Sequence, residues 1–520
     1  MKATTPESLV LIIDRERERR TRLTAGARPA LHPSLLPARA KSGVHILSLM
    51  AVWLTIFSGF FVAFEPAPVD ALLIGLVVLL PIVGLARIDT PHLGYLFAWL
   101  AITACELVAS TMAADVATAT IHTVVSLYLS LASFVIAAFI AKRPESHTRL
   151  IVWAYVASAL VAALMGIVGY LDLIPGASSV FTVHERAAGT FKDPNVYATY
   201  LIPAMLFLAH TALSRRFGAM LLSAAAFAVI ALALLLSFSR GAWVNLVVAG
   251  LVYGWLAFVT ARTDRQRLKL VGLAVLSVVL SLGVVAAALE VDAISRLFDQ
   301  RFALDQSYDE GPEGRFGGQL KAIDQILHNP FGLGPLQFGG VFHPEHPHNV
   351  YLSMFLNAGW LGGLIYILLI ACLLVAGFKA VMRRKWASPF LLAIYASFVG
   401  MVVEGFVIET DHWRHFYLVA GLLAGLAMEP SAVARRMPRI QGQAFAVVPR
   451  IALVQPALVP VPVRHVVDLA IALGRAFPRR GTRILGKADT VPMLSLVASQ
   501  GSARRRRREP KRRARIVGRA

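Results

Sequence analysis

The sequence predicts an all-α polytopic membrane protein of about twelve transmembrane helices, with a large, partly helical periplasmic loop before helix 10. Three observations lead there. The 520-residue chain is 57% hydrophobic and only 16% charged, with a mean hydropathy of +0.65, too apolar for a soluble globular protein. Its apolar residues gather in runs long enough to cross a hydrocarbon layer about 30 Å thick. Its Lys and Arg residues, which give a net charge of +21, fall at the two ends and in alternate short loops. That distribution describes topology rather than a nucleic-acid surface, and no nucleic-acid partner is expected.

Residues 1–43 form a basic leader with nine Lys or Arg residues up to Lys41. No small-residue cleavage site follows, so the first span is expected to stay as an uncleaved anchor. Spans follow at 44–64, 71–86, 93–110, 121–141, 150–171, 196–213, 217–236, 242–260, 270–289, 350–378, 390–407 and 413–428. Arg87, then Lys142, Arg143 and Arg149, then Arg215 and Arg216, then the stretch from Arg262 to Lys269, and finally Lys379 to Lys385 occupy one set of alternate loops. Basic loops stay in the cytoplasm, which puts both termini inside a bacterial inner membrane. Residues 429–520 carry twenty more basic residues in a Pro-rich tail, expected to be disordered or to lie on anionic lipid. Cys105 and Cys372 both fall inside apolar spans, so neither a disulfide framework nor a cysteine metal site is available.

The opposite loops hold only eight basic residues: Arg186, Lys192, Arg240, Arg296, Arg301, Arg315, Lys321 and Arg414. Positive charge on the disfavoured side, concentrated in a few loops, invites a functional reading. Arg186, Lys192 and Asn195 stand just ahead of a span, where Asp193 or Asn195 can cap the helix and a phosphate would suit its N-terminus; a solvated turn around Pro194 is the plainer alternative. Arg240 stands at the tip of a tight helical hairpin, Leu236-Ser-Phe-Ser-Arg-Gly-Ala242, either as a lipid-interface anchor or as a ligand to an anion inside the bundle. Arg414 begins the last span beside Trp413, again as an interface anchor or a ligand.

The longest outer connection, 290–349, is long enough to fold over the membrane, with an amphipathic stretch at 316–328 and a turn-rich segment at 329–335. It ends in His343, Glu345, His346 and His348. Pro344 and Pro347 prevent the one-face helical display that paired zinc histidines use, so no metal is expected there. Acid–base or orienting work suits His348 best, because Asn349 can start the next helix and hold it in place. Glu106 and Glu404 lie inside spans, as a proton path or as paired polar packing.

In these segments the chain resembles the O-antigen ligase and O-antigen polymerase family of bacterial membrane glycosyltransferases. The resemblance rests on Arg186-Ala-Ala-Gly-Thr-Phe-Lys-Asp-Pro-Asn195, Ser239-Arg-Gly241, Gly314-Arg315, Gly332-Leu-Gly334, and His348-Asn-Val-Tyr-Leu352 with Gly359 following. It implies that 44–428 is a transmembrane glycosyltransferase domain with a periplasmic cap loop at 290–349. It further implies that a glycan moves from a polyprenyl diphosphate carrier to an acceptor hydroxyl at the periplasmic face, without metal or other cofactor. The acceptor would be a second glycan or the lipid A core, with membrane lipids the remaining partners. On this resemblance His348, Arg186 and Arg240 are catalytic, while Lys192, Asn195, Arg315, Asn349 and Arg414 bind substrate. A polymerase joining repeat units of O-antigen or exopolysaccharide is the close alternative. A transporter would show two repeated halves, which the sequence lacks, and a non-catalytic assembly partner would not need these arginines or His348.

Overall fold

The computed structural model describes residues 38–214, 217–272, 311–383 and 390–428, with the isolated positions 275, 283 and 290. All but the far end of the chain belongs to one compact unit, Met1–Ala446; the second, Val447–Ala520, lies outside the described residues. So do the leader up to residue 37, the expected span at 270–289 apart from 270–272, 275 and 283, the whole of 291–310, and the basic tail.

The described residues form a helical bundle: α1 (Ala38–Phe57), α2 (Pro68–Ile82), α3 (Thr90–Ser110), α4 (Val116–Lys142), α5 (Pro144–Tyr170), the short α6 (Ala177–Phe181), α7 (Pro194–Ser214), α8 (Phe217–Leu236), α9 (Arg240–Thr260), α10 (Arg315–His328), α11 (Val350–Met382), α12 (Leu391–Glu404) and α13 (Arg414–Ala427). Eight of the described helices are long and apolar enough to cross a membrane. Three further apolar helices, α2, α12 and α13, are shorter. A 14-residue helix spans about 21 Å at 1.5 Å per residue, less than the hydrocarbon thickness. Accordingly α13 is enclosed by protein along nearly its whole length. Gly421 and Gly425 let it approach α4 closely, since a Cβ on either would stand 2.5 or 2.6 Å from the carbonyl oxygens of Ser133 and Ala137. Small residues four apart are how membrane helices bring their backbones together.

The amphipathic stretch expected at 316–328 is α10. Its small residues Gly318 and Ala322 are buried, whereas Phe316, Leu320 and Leu327 stay exposed. The turn after it docks into a break in α11. Gly359 adopts φ 67°, ψ −174° within that helix, which releases backbone groups that a regular helix would pair. The 330–334 turn supplies the missing partners: Leu333 N–H donates to the Leu356 carbonyl at 2.7 Å and Trp360 N–H to the Pro330 carbonyl at 2.9 Å. No room remains at the joint, because a Cβ on Gly359 would lie 2.6 Å from the Pro330 carbonyl oxygen. Gly359→Ala is therefore expected to cost about 1–3 kcal/mol from backbone strain alone, read as a lowered midpoint of thermal unfolding in detergent. An unchanged midpoint would show that the break is not needed.

Candidate active site

Loops at one end of the bundle are tied to one another. Residues 182–187 form a two-stranded hairpin, Thr182–Val183 paired antiparallel with Arg186–Ala187. Its two connecting residues, His184 and Glu185, both take positive φ, 49° and 59°, as the tightest right-twisted turn requires. This hairpin presents Arg186, whose Nε donates to the Ser237 carbonyl at 2.7 Å and whose Nη2 donates to Asn195 Oδ1 at 2.7 Å. Ser237 directly follows α8, where carbonyls at a helix end lack partners, so the guanidinium closes that end. Ser239 donates to the same Asn195 oxygen at 2.9 Å and caps α9, immediately before Arg240. Arg186, Asn195 and the α8–α9 turn bearing Arg240 thus form one hydrogen-bonded surface.

Of the two candidate caps for α7, Asp193 takes the role, accepting from Asn195 N–H at 2.6 Å. Asn195 is left to orient Arg186. Beneath this surface Glu404 is fully buried and satisfied, accepting from Thr199 at 2.6 Å and from Asn245 at 2.7 Å. These bonds join α7, α9 and α12.

Past Glu404 the chain reaches Glu409 and the second part of the site. His348 sits between two carboxylates: Nε2 is 2.9 Å from Glu345 Oε2 and Nδ1 is 3.2 Å from Glu409 Oε2. Its backbone N–H also donates to Glu409 Oε1 at 2.5 Å. Asn349 caps α11 as expected, its Oδ1 accepting from Tyr351 and Leu352 N–H, so its oxygen is committed to the helix. The Glu409 hydrogen bond raises the His348 pKa above the ordinary imidazole value; burial and the nearby charge of Arg315, at the start of α10, work against it. Burial pushes the Glu409 carboxyl up, but the hydrogen bond and charge of His348 outweigh it and hold it below the usual carboxylate range. The histidine group expected around 343–348 is dispersed: His343 is buried against Gly318 and its Nδ1 lies 3.0 Å from the Glu345 carbonyl, while His346 packs on Gly339.

Arg414 is held by Asp70 through two charge-assisted bonds, Nε to Oδ1 at 2.5 Å and Nη2 to Oδ2 at 2.7 Å. Tyr128 donates to the same carboxylate at 2.7 Å. Exposed Glu65 bridges Arg414 at 3.7 Å and Lys192 at 3.3 Å. Arg414, Glu65 and Lys192 border a cavity of about 310 Å³ whose wall is mostly apolar, with Ile56, Val69, Leu73 and Ile136 among its residues.

Residues 225–367 match the family described as O-antigen ligase. Over that stretch the chain is similar to the O-antigen ligase family. The match spans a little over a quarter of the chain and includes Arg240, Arg315, the Gly332–Gly359 joint and His348. Arg186, Lys192, Asn195, Glu409 and Arg414 lie outside it. No curated protein and no solved structure matches the chain. The apolar helices, together with the O-antigen ligase match over 225–367, indicate a multi-pass membrane protein.

Sequence reasoning missed Glu409, Asp70 and Glu65. A signal was present in Glu409-Thr-Asp-His412, two acids and a histidine in a short turn between apolar spans, where ionisable groups are rarely idle.

Proposed function

We propose that the chain is an O-antigen ligase-like glycosyltransferase that moves a glycan from a polyprenyl diphosphate carrier to an acceptor hydroxyl at the periplasmic face of the bacterial inner membrane. The observation that carries this reading is the single hydrogen-bonded surface holding Arg186 and the Arg240 turn, with His348 between two carboxylates at the same end of the bundle. Arg186 and Arg240 bind the diphosphate. As the bond from the anomeric carbon to the diphosphate oxygen breaks, the leaving group takes the electron pair and its growing charge is stabilised by the guanidinium groups.

The acceptor oxygen forms the new bond to that carbon, and its proton passes to neutral His348 at Nε2 once the acceptor hydroxyl has displaced exposed Glu345 from that nitrogen. Glu409 on Nδ1 fixes the ring and raises its basicity. Asn195 orients Arg186, Arg315 meets the glycan or the diphosphate from the cap, and Lys192 meets the donor beside the apolar cavity, which suits the carrier's isoprenoid chain. Arg414, held by Asp70, shapes that wall. The transfer itself needs no metal.

The test is the surface polysaccharide profile of a deletion strain complemented with wild type, Arg186→Ala, Arg240→Ala or His348→Ala at matched expression. Wild type restores the profile and each substitution fails if the reading holds. Bare lipid A core with long carrier-linked chains then identifies a ligase, whereas single capped repeats identify a polymerase. Full restoration by all three variants would overturn the site.

A further inference from the structure

Beside the site just described lies a second cluster that the transfer chemistry does not use. His122 on α4 faces the Asp411-His412 pair of the α12–α13 turn, and one potential ligand atom from each of the three lies within 4.8 Å of the others. His122 Nε2 is 3.7 Å from Asp411 Oδ2. The two imidazole rings are stacked with centroids 3.7 Å apart, and Ser126 Oγ lies 3.1 Å from His412 Nε2. All three side chains are well shielded from solvent, and His122 Nδ1 is a buried nitrogen with no hydrogen-bond partner among the described residues. The ion-pair partner of Asp411 here is His122, which carries charge only when protonated.

Two neutral imidazoles and a carboxylate are a nitrogen- and oxygen-donor set that suits zinc and its neighbours. At zinc–ligand lengths of about 2.0–2.2 Å, tetrahedral ligands stand about 3.4 Å apart, so the candidate atoms are within reach of one ion once the stacked rings splay to turn a nitrogen each toward it. Ser126 is placed to orient one ring, as outer partners of metal-bound histidines do. A divalent cation would also neutralise a carboxylate that is otherwise buried beside uncharged rings.

We propose that His122, Asp411 and His412 form a binding site for a divalent transition-metal ion, zinc by its donor set, that ties α4 to the turn carrying Glu409 and leading into Arg414. The role is to hold that turn, and the proposal stands whether or not the transfer reading does. It concerns none of the histidines at 343–348.

The full-length chain without a polyhistidine tag, purified in detergent, stripped with chelator and dialysed against Zn²⁺ or Co²⁺, tests this by metal content and by the visible absorption of bound Co²⁺. One equivalent per chain with a ligand-field spectrum is expected for wild type and for the control His343→Gln. Asp411→Asn, His122→Gln and His412→Gln are expected to lose both. Should a variant fail to fold, the wild-type Co²⁺ spectrum still decides. No stoichiometric ion on the wild-type chain, or undiminished binding in folded Asp411→Asn, would overturn the site and leave a stacked histidine pair.

Discussion

Replacing His348 with alanine in the full-length chain is expected to lower glycan transfer by about 10²–10⁴-fold, the range for losing a positioned acid–base group. The companion variant Glu409→Gln gives a sharper result, because it keeps the size of the side chain and removes its charge. The hydrogen bond that the His348 ring donates to Glu409 is the main reason that His348 holds its proton above the ordinary imidazole value. A base works only when deprotonated, so wild-type activity should fall as pH drops through this raised value. In Glu409→Gln the imidazole gives up its proton at lower pH, and the acid limb of kcat/KM should move to lower pH. The rate on the plateau should fall too, since a weaker base accepts the proton less readily. An acid limb in the same place, or full activity in His348→Ala, would show that this ring is not the base.

The second large effect is on stability. Asp70 and Arg414 are joined by two short bonds in a largely water-free setting. Removing Asp70 leaves Arg414 with only exposed Glu65, 3.7 Å away, as a counter-charge, and Asp70→Ala is expected to cost about 3 kcal/mol. The double variant Asp70→Ala with Arg414→Leu should recover part of that loss, because an apolar side chain does not need a partner. Thermal unfolding of the three proteins in detergent checks this. Equal midpoints for the single and double variants would mean that the pair is incidental to folding.

These two pairs also explain which parts of the structure the sequence could reveal. Hydrophobic length acts segment by segment, so the described spans stand close to where the hydropathy places them, and α10 begins one residue before the amphipathic run. Arg186, Arg240 and His348 stood out because positive charge on the disfavoured face breaks an insertion rule, and because a histidine before a helix cap has a defined place. The acidic partners of His348 and Arg414 broke no rule. Glu409 lies 61 residues from His348 and Asp70 lies 344 residues from Arg414, and only the packed bundle brings such positions together. Arg414 itself read as an anchor or a ligand for that reason: its loop shows the charge but not the carboxylate that holds it. The histidine cluster at 343–348 looked like one group along the chain, yet its prolines and the positive φ of His348 at 48° turn its members in different directions.

The joint between the 330–334 turn and the break in α11 also bears on how the protein is made. A transmembrane helix is normally released into lipid with its own backbone already paired, whereas this one carries an open carbonyl at Leu356 and an open N–H at Trp360 whose partners come from outside the helix. Those partners are encoded upstream and leave the ribosome first, so the turn has already been synthesised when the helix emerges. Backbone pairing in α11 is in this sense a two-piece assembly, and a defect in the 330–334 turn would leave the Leu356 carbonyl and the Trp360 N–H open inside the helix.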